Sequence, residues 1–357
     1  MKTSKRRIAR QTAAGLLALS VLCTAAIPGM LALPAGAAAA ASGDLNGDGS
    51  VTGADVAILQ QYLLQSASLT ADQAARADVV ADGVLNGLDL ARLRQMAQST
   101  TPVSDAIAIH LSDSGITVEG DTKGVTAVSG KTVTISASGN YTVDGSITDG
   151  QILVNVPDTT ADADAVSLYL QDVTMTSSTG APCILGQSAK KLKLTCNGTN
   201  TLTDTAAEAN ADTSGVIYGD CDITVAKNST GSLNITSSMN TAIRSKDDIK
   251  LNGGTIVVNT DVDDTSDADA IKTKKTLTVE GATVTVDASA DGLKSTKELV
   301  NIVSGNVSVK AGNDAIQAAT DINISGGIVV AGGDRGFRLD DGGKLTITGG
   351  DVLATAT

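Results

Sequence analysis

A repeated apolar position in the second half of the chain restricts the fold more than any other sequence feature. Two markers recur in phase over five repeats. The apolar marker has steps of 26, 28, 22, 23 and 21 residues and falls at Ile217, Ile243, Ile271, Leu293, Ile316 and Phe337. The second marker, a glycine-bearing turn ten to twelve residues after each of the last five, falls at Gly253-Gly254, Gly281-Ala282, Ser304-Gly305, Gly326-Gly327 and Gly349-Gly350. Such a period indicates a solenoid rather than a β-sandwich, which needs no fixed step.

The residues between the markers alternate in the manner of strands. Segments such as 132–135, 283–286 and 306–309 place an apolar side chain at every second position, and no helical period accompanies them. A step near 22 residues suits a parallel β-helix of three short strands per coil, each coil rising about 4.8 Å. The sequence therefore predicts an all-β solenoid over residues 107–357. The last coil has no polar cap over its strand edges, so we expect it to continue beyond Thr357.

The N-terminus predicts secretion. Residues 1–41 have a basic start, an apolar run and an alanine-rich tail, which is typical of a signal peptide cut between about Ala37 and Ser42. Its loss removes five positive charges and changes the net charge from −13 to −18. Such a charge repels nucleic acid and anionic membranes and attracts divalent cations. We expect an extracellular monomer without membrane attachment, with a polar linker over residues 99–106.

Composition excludes several kinds of site. His110 is the only histidine, so a three-histidine zinc site is impossible. Five aromatic residues argue against a sugar site built on ring stacking. The cysteines after the signal segment lack metal-site spacing and are predicted to be buried thiols; they are Cys183, Cys196 and Cys221.

Residues 44–55 fit a twelve-residue calcium loop. Such a loop supplies oxygen ligands at fixed positions around a glycine bend, here Gly49. The predicted calcium ligands are Asp44, Asn46, Asp48, Ser50, Thr52 and Asp55.

A second copy of the loop begins 34 residues later. Its predicted ligands are Asp78, Asp82, Val84 through its carbonyl, Asn86 and Asp89. Position 3 of this copy is Val80, whose side chain has no oxygen, so we predict a weaker site or one completed by water.

This tandem over residues 43–98 resembles a type I dockerin. The resemblance implies a small all-α module with paired EF-hand-like loops, calcium-dependent folding and a cohesin domain of a cellulosome scaffold as partner. The positions that it implies for cohesin binding are Gly53, Ala54, Gln60, Gln61, Gly87 and Leu88.

Two charged columns follow from the alignment of the solenoid repeats. Asp269, Asp291 and Asp314 stand two residues before the apolar marker, and stacked like charges favour a shared cation. Oxygen ligands indicate calcium, and the predicted ligands in this region are Asp263, Asp264, Asp267, Asp269, Asp291 and Asp314. The residue after the marker is often basic, which predicts substrate contacts by Arg244, Lys272, Lys294 and Arg338. The alternative is that the aspartates cap turns and pair with these cations.

The segment from about Leu192 resembles a carbohydrate-binding β-helix family of dockerin-bearing proteins. The phrases that carry the resemblance are 198–204, 245–254, 290–296 and 313–317. It implies a right-handed parallel β-helix like that of pectate lyases, with bound calcium and affinity for cellulose and acidic sugars, but no established catalysis.

Three functions stay open at this point. The first is non-catalytic binding of cellulose or acidic pectic polysaccharide, which we favour. The second is a calcium-dependent lyase with Lys272 or Lys294 as the base, since β-elimination needs a metal to acidify the proton and a base to remove it. Another polysaccharide-degrading enzyme, such as a glycoside hydrolase, belongs to the same alternative, although no carboxylate pair stands out for it. The third is a structural or adhesive spacer that displays the dockerin.

Overall fold

The computed structural model describes residues 43–47, 51, 53–99, 106–210, 212–260, 268–340 and 342–356. The predicted signal peptide lies outside these residues, and so do residues 100–105 of the predicted linker. Among the described helices, none combines the length and apolar character needed to span a bilayer.

Residues 43–99 form a small helical module with α1 (Gly53–Leu63), α2 (Ala71–Ala77) and α3 (Gly87–Ser99). Helix α2 begins with a capping box, in which the Thr70 hydroxyl accepts from the Gln73 N–H and the Gln73 side chain accepts from the Thr70 N–H. Helix α1 packs against α3. The buried apolar residues of this module are Leu45, Leu59, Ala74, Ala77, Leu85 and Leu93.

In the rest of the described chain, the regular secondary structure consists of strands. In chain order they are β1 (Ile107–Leu111), β2 (Thr117–Glu119), β3 (Thr126–Ser129), β4 (Thr132–Ile135), β5 (Gly139–Thr148), β6 (Gln151–Asn155), β7 (Ala165–Ser177), β8 (Ile184–Ser188), β9 (Lys191–Asn197), β10 (Thr199–Asp204), β11 (Ile217–Gly219), β12 (Asp222–Val225), β13 (Ser232–Ser237), β14 (Ile243–Ser245), β15 (Ile249–Leu251), β16 (Thr255–Asn259), β17 (Ile271–Thr273), β18 (Leu277–Ala288), β19 (Leu293–Ser295), β20 (Val300–Ala311), β21 (Asp314–Ala318), β22 (Ile322–Ile324), β23 (Ile328–Gly333), β24 (Arg335–Leu339), β25 (Leu345–Ile347) and β26 (Asp351–Ala356).

These strands form a parallel β-solenoid of about eight turns. One sheet, called the marker sheet below, has the strand order β24-β21-β19-β17-β14-β11-β8-β6-β4-β3. All its neighbouring strands are parallel except β3 and β4, which are antiparallel. The other sheet covers two faces of the solenoid, because its long strands pair with different neighbours in each half. Strand β18, for example, pairs through its first half with β15 and through its second half with β16.

The marker sheet confirms the sequence alignment residue by residue. Its register pairs Ile217 with Ile243, then Ile271, Leu293, Ile316 and Phe337 in successive coils. The first five of these side chains are fully buried, and Phe337 packs against the same core. Stacking aliphatic side chains removes a continuous apolar column from water, at about 25 cal/mol per Å² of buried area.

The glycine marker lies at the corner between the two faces of the larger sheet. Gly254, Gly281, Gly305, Gly327 and Gly350 all have φ between 72° and 102°. Positive φ at these positions disfavours any residue with a side chain, and close contact between coils is a second reason for glycine. A Cβ on Gly305 would lie 2.2 Å from the carbonyl oxygen of Ala282 in the coil before. The glycine marker therefore lies at a backbone corner where successive coils are in close contact.

The cysteine prediction is also confirmed. Cys183, Cys196 and Cys221 are buried and carry free thiols. Burial raises the pKa of each thiol to about 12, so these groups stay protonated and unreactive at neutral pH.

Candidate functional site

The second loop of the helical module gathers three carboxylates. Oxygens of Asp78, Asp82 and Asp89 lie within 4.8 Å of one another. Within the described residues, this is the only such cluster of three or more metal-ligating side chains. None of the three forms an ion pair with a described lysine or arginine. Three close carboxylates without a protein cation fit a hard divalent ion such as calcium.

Backbone N–H groups position these carboxylates. Asp89 is fully buried and accepts from the N–H groups of Val80, at 3.1 Å, and Asn86, at 3.0 Å. Asp78 accepts from the N–H groups of Asp82, at 3.1 Å, and Gly83, at 3.0 Å. The carboxylates that are available to an ion thus also hold the loop in its turn by accepting these backbone hydrogen bonds.

Two predicted ligands of this loop have other bonds. The Val84 carbonyl accepts from Asn86 Nδ2 at 3.0 Å, and Asn86 Oδ1 accepts from the Leu88 N–H at 2.7 Å. Val80, at position 3, points an exposed apolar side chain outward, with 43% of it accessible. Of the predicted ligands of the second loop, the three aspartates are those whose side-chain oxygens lie together.

The first loop repeats the key bond. Asp55 is fully buried and accepts from the N–H groups of Leu45, at 2.7 Å, and Asn46, at 2.9 Å. Asp44 accepts from the Gly47 N–H at 2.7 Å. In both loops the N–H of position 3 therefore donates to the acid of position 12. The remaining predicted ligands lie outside the described residues; they are Asp48, Ser50 and Thr52.

The predicted cohesin-binding positions lie at the start of α1 and α3 and along α1. Leu88 is 63% exposed. Gly53 begins α1 and Gly87 begins α3. The predicted positions that the structure shows to be exposed are Ala54, Gln60, Gln61, Gly87 and Leu88.

In the solenoid, the three aligned aspartates form a buried column beside the marker sheet. Asp269, Asp291 and Asp314 are 6%, 4% and 0% exposed. The first two carboxylates each accept the backbone N–H of the next aspartate: the Asp291 N–H donates to Asp269 Oδ1 at 3.3 Å, and the Asp314 N–H donates to Asp291 Oδ1 at 3.0 Å. The column is thus built into the coil-to-coil backbone bonding.

Basic side chains face this column. Lys272 Nζ donates to Asp269 Oδ2 at 2.6 Å, and Lys294 bridges Asp291 and Asp269. The arrangement matches the ion-paired alternative of the sequence analysis. Calcium binding at Asp269, Asp291 and Asp314 stays a prediction, and the other predicted ligands of this region, Asp263, Asp264 and Asp267, lie outside the described residues.

These groups line one polar cleft of about 360 Å³, named the column cleft below. Its lining residues are Asp269, Lys272, Ala290, Asp291, Lys294, Asn313, Asp314, Arg335 and Arg338. Four cations against three carboxylates give it one positive charge in excess, on a chain of net charge −13. A positive cleft in a strongly acidic protein favours an anionic ligand.

Lys294 is protonated at neutral pH. Burial alone lowers the pKa of this lysine, but its hydrogen bond to Asp291 and the negative charges of Asp269 and Asp291 outweigh burial and raise it. A protonated lysine bonded to two carboxylates is available as a cation and not as a base.

The predicted substrate-contacting residues separate into two places. Arg244 aligns with Lys272 and Lys294 in the marker sheet, but it does not line the cleft; its guanidinium lies over the Tyr218 ring, 5.8 Å from the centroid. Arg335 is a cleft residue that the predicted substrate contacts left out. Its register opposite Asp314, two residues before Phe337, was the available signal, because the aspartates at that position in the preceding coils line the same cleft.

Fold and sites together define a β-solenoid with a charged corner cleft, preceded by a helical module with two acidic ion-binding loops. Residues 42–96 match the type I dockerin domain, and residues 129–354 match a family described as "Carbohydrate-binding domain-containing protein". The latter match covers more than half of the chain, so the protein belongs to this carbohydrate-binding family and carries a type I dockerin at its N-terminal side.

Two relatives place the chain further. A curated "Carbohydrate-binding domain-containing protein" of Acetivibrio thermocellus is 33% identical over 138 residues, which cover 37% of this chain and 46% of that protein. The chain thus matches less than half the length of this relative. A solved structure, described as the polysaccharide lyase-like protein from C. thermocellum in a gadolinium derivative, superposes with a TM-score of 0.51 at 24% identity. It covers 70% of this chain and 97% of that one, which shows a shared fold.

Proposed function

We propose that this protein is a secreted cellulosome component that binds a scaffold cohesin through its dockerin and plant cell-wall polysaccharide through its solenoid. Membership of a carbohydrate-binding family and the presence of a dockerin support the two halves of the proposal. The observation that carries the ligand assignment is the column cleft, whose excess positive charge suits acidic sugars.

Attachment depends on calcium in the two dockerin loops. The buried Asp55 and Asp89 end the loops at the first turns of α1 and α3, next to the exposed Ala54 and Leu88. An ion in each loop fixes the angle at which its helix begins, and so fixes the surface offered to a cohesin.

Calorimetry with a panel of cohesins tests attachment. Leu88→Glu is expected to weaken binding at least tenfold, whereas Ala71→Glu, an equal charge change at the exposed first residue of α2, serves as the control. EDTA is expected to abolish binding of the unaltered chain. Retention of full affinity in EDTA would remove the calcium part of the proposal.

Acidic polysaccharide binding is expected to need the cations of the marker sheet. Replacement of Lys272 and Lys294 by Gln should weaken binding strongly. In affinity electrophoresis, polygalacturonate in the gel should then retard the migration of the variant much less than that of the unaltered chain. The matched control replaces Lys193 and Lys250 on the outer surface of a different face. Equal loss in both pairs would show only a general charge effect.

Calcium at the solenoid is part of the proposal because carboxylates of the column and of a uronate can share one ion. Calcium titration of Asp269→Asn compared with the unaltered chain tests it by stoichiometry. An unchanged number of bound ions would restrict calcium to the dockerin.

A neutral polysaccharide such as cellulose is a second candidate ligand, supported by a different surface. The outward residues of β7, β10, β13, β16, β18 and β20 form an uncharged row in register: Thr174, Thr201, Asn234, Val257, Thr285 and Ser308. Lysines at Thr201 and Thr285 should reduce retention on insoluble cellulose, and Thr278→Lys on the neighbouring face is the control.

A lyase would have to deprotonate Lys272 or Lys294, and both are held by aspartates. We therefore favour binding without catalysis. Ultraviolet absorbance of an unsaturated product from polygalacturonate with calcium would overturn this preference. Absence of retention on every polysaccharide would leave the spacer function instead.

A further inference from the structure

Two arginines meet on one buried carboxylate at the end of the column cleft. Arg335 donates through Nε to Asp314 Oδ1, and Arg338 donates through Nη1 to Asp314 Oδ2 at 3.1 Å. Asp314 is fully buried, while 56% of the Arg335 side chain and 41% of the Arg338 side chain are exposed. The carboxylate thus lies behind two guanidinium groups that face solvent.

The excess charge of the cleft is confined to this end. Asp269 and Asp291 face two lysines, which balances them. Asp314 faces two arginines, because Arg335 occupies the register position that aspartates hold in the coils before it. The replacement of an aspartate by an arginine reverses the sign of the column in its last described coil.

Both guanidinium groups keep a pair of N–H donors for a ligand. In the described part of the chain, their side-chain hydrogen bonds are those to Asp314. Bonding through Nε leaves the Nη1/Nη2 edge of Arg335, and bonding through Nη1 leaves the Nε/Nη2 edge of Arg338. Each such edge matches the two oxygens of a carboxylate.

We propose that Arg335 and Arg338 form a subsite that binds one sugar carboxylate directly, without calcium. The inference rests on the proposed function and deepens it, because it assigns acidic-sugar recognition to guanidinium groups rather than to a bridging ion. Asp314 serves as the counter-ion that holds both arginines in place. Because both arginine side chains are largely exposed, added salt should screen their attraction for the sugar carboxylate and weaken binding.

Calorimetry of the full chain with trigalacturonate, in the presence of EDTA, tests the subsite. The unaltered chain is expected to bind, and Arg335→Gln with Arg338→Gln should lower affinity at least tenfold. Arg335→Lys with Arg338→Lys keeps the charge but loses the paired donors, and should lower affinity about threefold or more. The control with the same charge change is Lys297→Gln with Lys344→Gln, two exposed lysines outside the cleft.

The outcomes separate the subsite from the broader function. Binding that needs calcium would overturn the subsite and leave the proposed function standing. Absence of binding with or without calcium would overturn both for acidic sugars. Equal affinity of the double-Gln variant and the unaltered chain would move the site elsewhere. Displacement of trigalacturonate by millimolar sulfate as readily as by galacturonate would show a general anion site and overturn the sugar assignment.

Discussion

The dockerin and the solenoid each gather three aspartates, and they neutralise them in opposite ways. Asp78, Asp82 and Asp89 have backbone N–H donors but no described basic partner. Asp269 and Asp291 also accept backbone N–H groups, but lysines pair with these two carboxylates and arginines pair with Asp314. Acidic clusters of equal size therefore have different requirements for an external cation.

The difference follows from what each region can bury. The dockerin core contains few side chains, so an ion adds stability that packing cannot supply. The solenoid stacks one apolar column over many coils and folds around it, so its polar corner is free to serve binding. Four experiments test this contrast.

Chelation should give the largest effect, confined to one region. EDTA is expected to unfold the dockerin helices, because mutual repulsion among uncompensated carboxylates opposes the loop turns. Hydrogen exchange followed by mass spectrometry should show protection in α1–α3 falling at least a hundredfold while β11–β20 stay unchanged. Equal loss in both regions would contradict the contrast.

Breaking the solenoid column should reduce global stability without any metal. Asp291→Ala leaves Lys294 partly buried beside a single carboxylate and removes an acceptor of the Asp314 N–H, at a cost of about 3 kcal/mol. Urea unfolding of the solenoid measures it. The exposed Asp82→Ala should leave the same transition unaltered, and a smaller loss for Asp291 than for Asp82 would refute the ion-pair account.

Adding an oxygen ligand at position 3 of the second dockerin loop should increase the calcium affinity of this loop. Val80→Asp adds a carboxylate at position 3, where the exposed side chain has room, and should tighten binding about tenfold because ligand charge increases. Calcium calorimetry measures this change. Val84→Asp, at a position that contributes a backbone carbonyl, is the control, and equal gains for both would indicate a non-specific charge effect.

The smallest effect concerns alkaline pH. The raised pKa of Lys294 means that its ion pairs contribute stability fully below the ordinary lysine pKa, and that this contribution is lost as pH rises through the higher folded-state pKa. Thermal melting between pH 9 and 12 should fall more for the unaltered chain than for Lys294→Gln. Lys297→Gln, exposed and outside the cleft, should follow the unaltered chain.

Much of the fold was predictable from the sequence because it repeats. Ile217, Ile243 and Ile271 were aligned correctly, because residues one period apart along a solenoid chain lie next to each other in adjacent coils. The acid column was found for the same reason, as were the carboxylates of the second calcium loop, whose ligands lie within twelve residues.

The partners of the charged side chains were not predictable. Sequence reasoning left open whether Asp291 binds an ion or a lysine, since that depends on side-chain direction at a corner, which the period does not specify. It grouped Arg244 with the cleft, although Arg244 lies over Tyr218, and it left Arg335 out of the predicted substrate contacts.

The sequence by itself thus determined the coil, the core and the clustering of the loop aspartates, because each depends on spacing along the chain. Only the tertiary structure decided which cations neutralise the aspartate column and where one charge is left over. That decision depends on distances of a few ångströms between side chains of different coils, and Coulomb energy varies steeply at such distances.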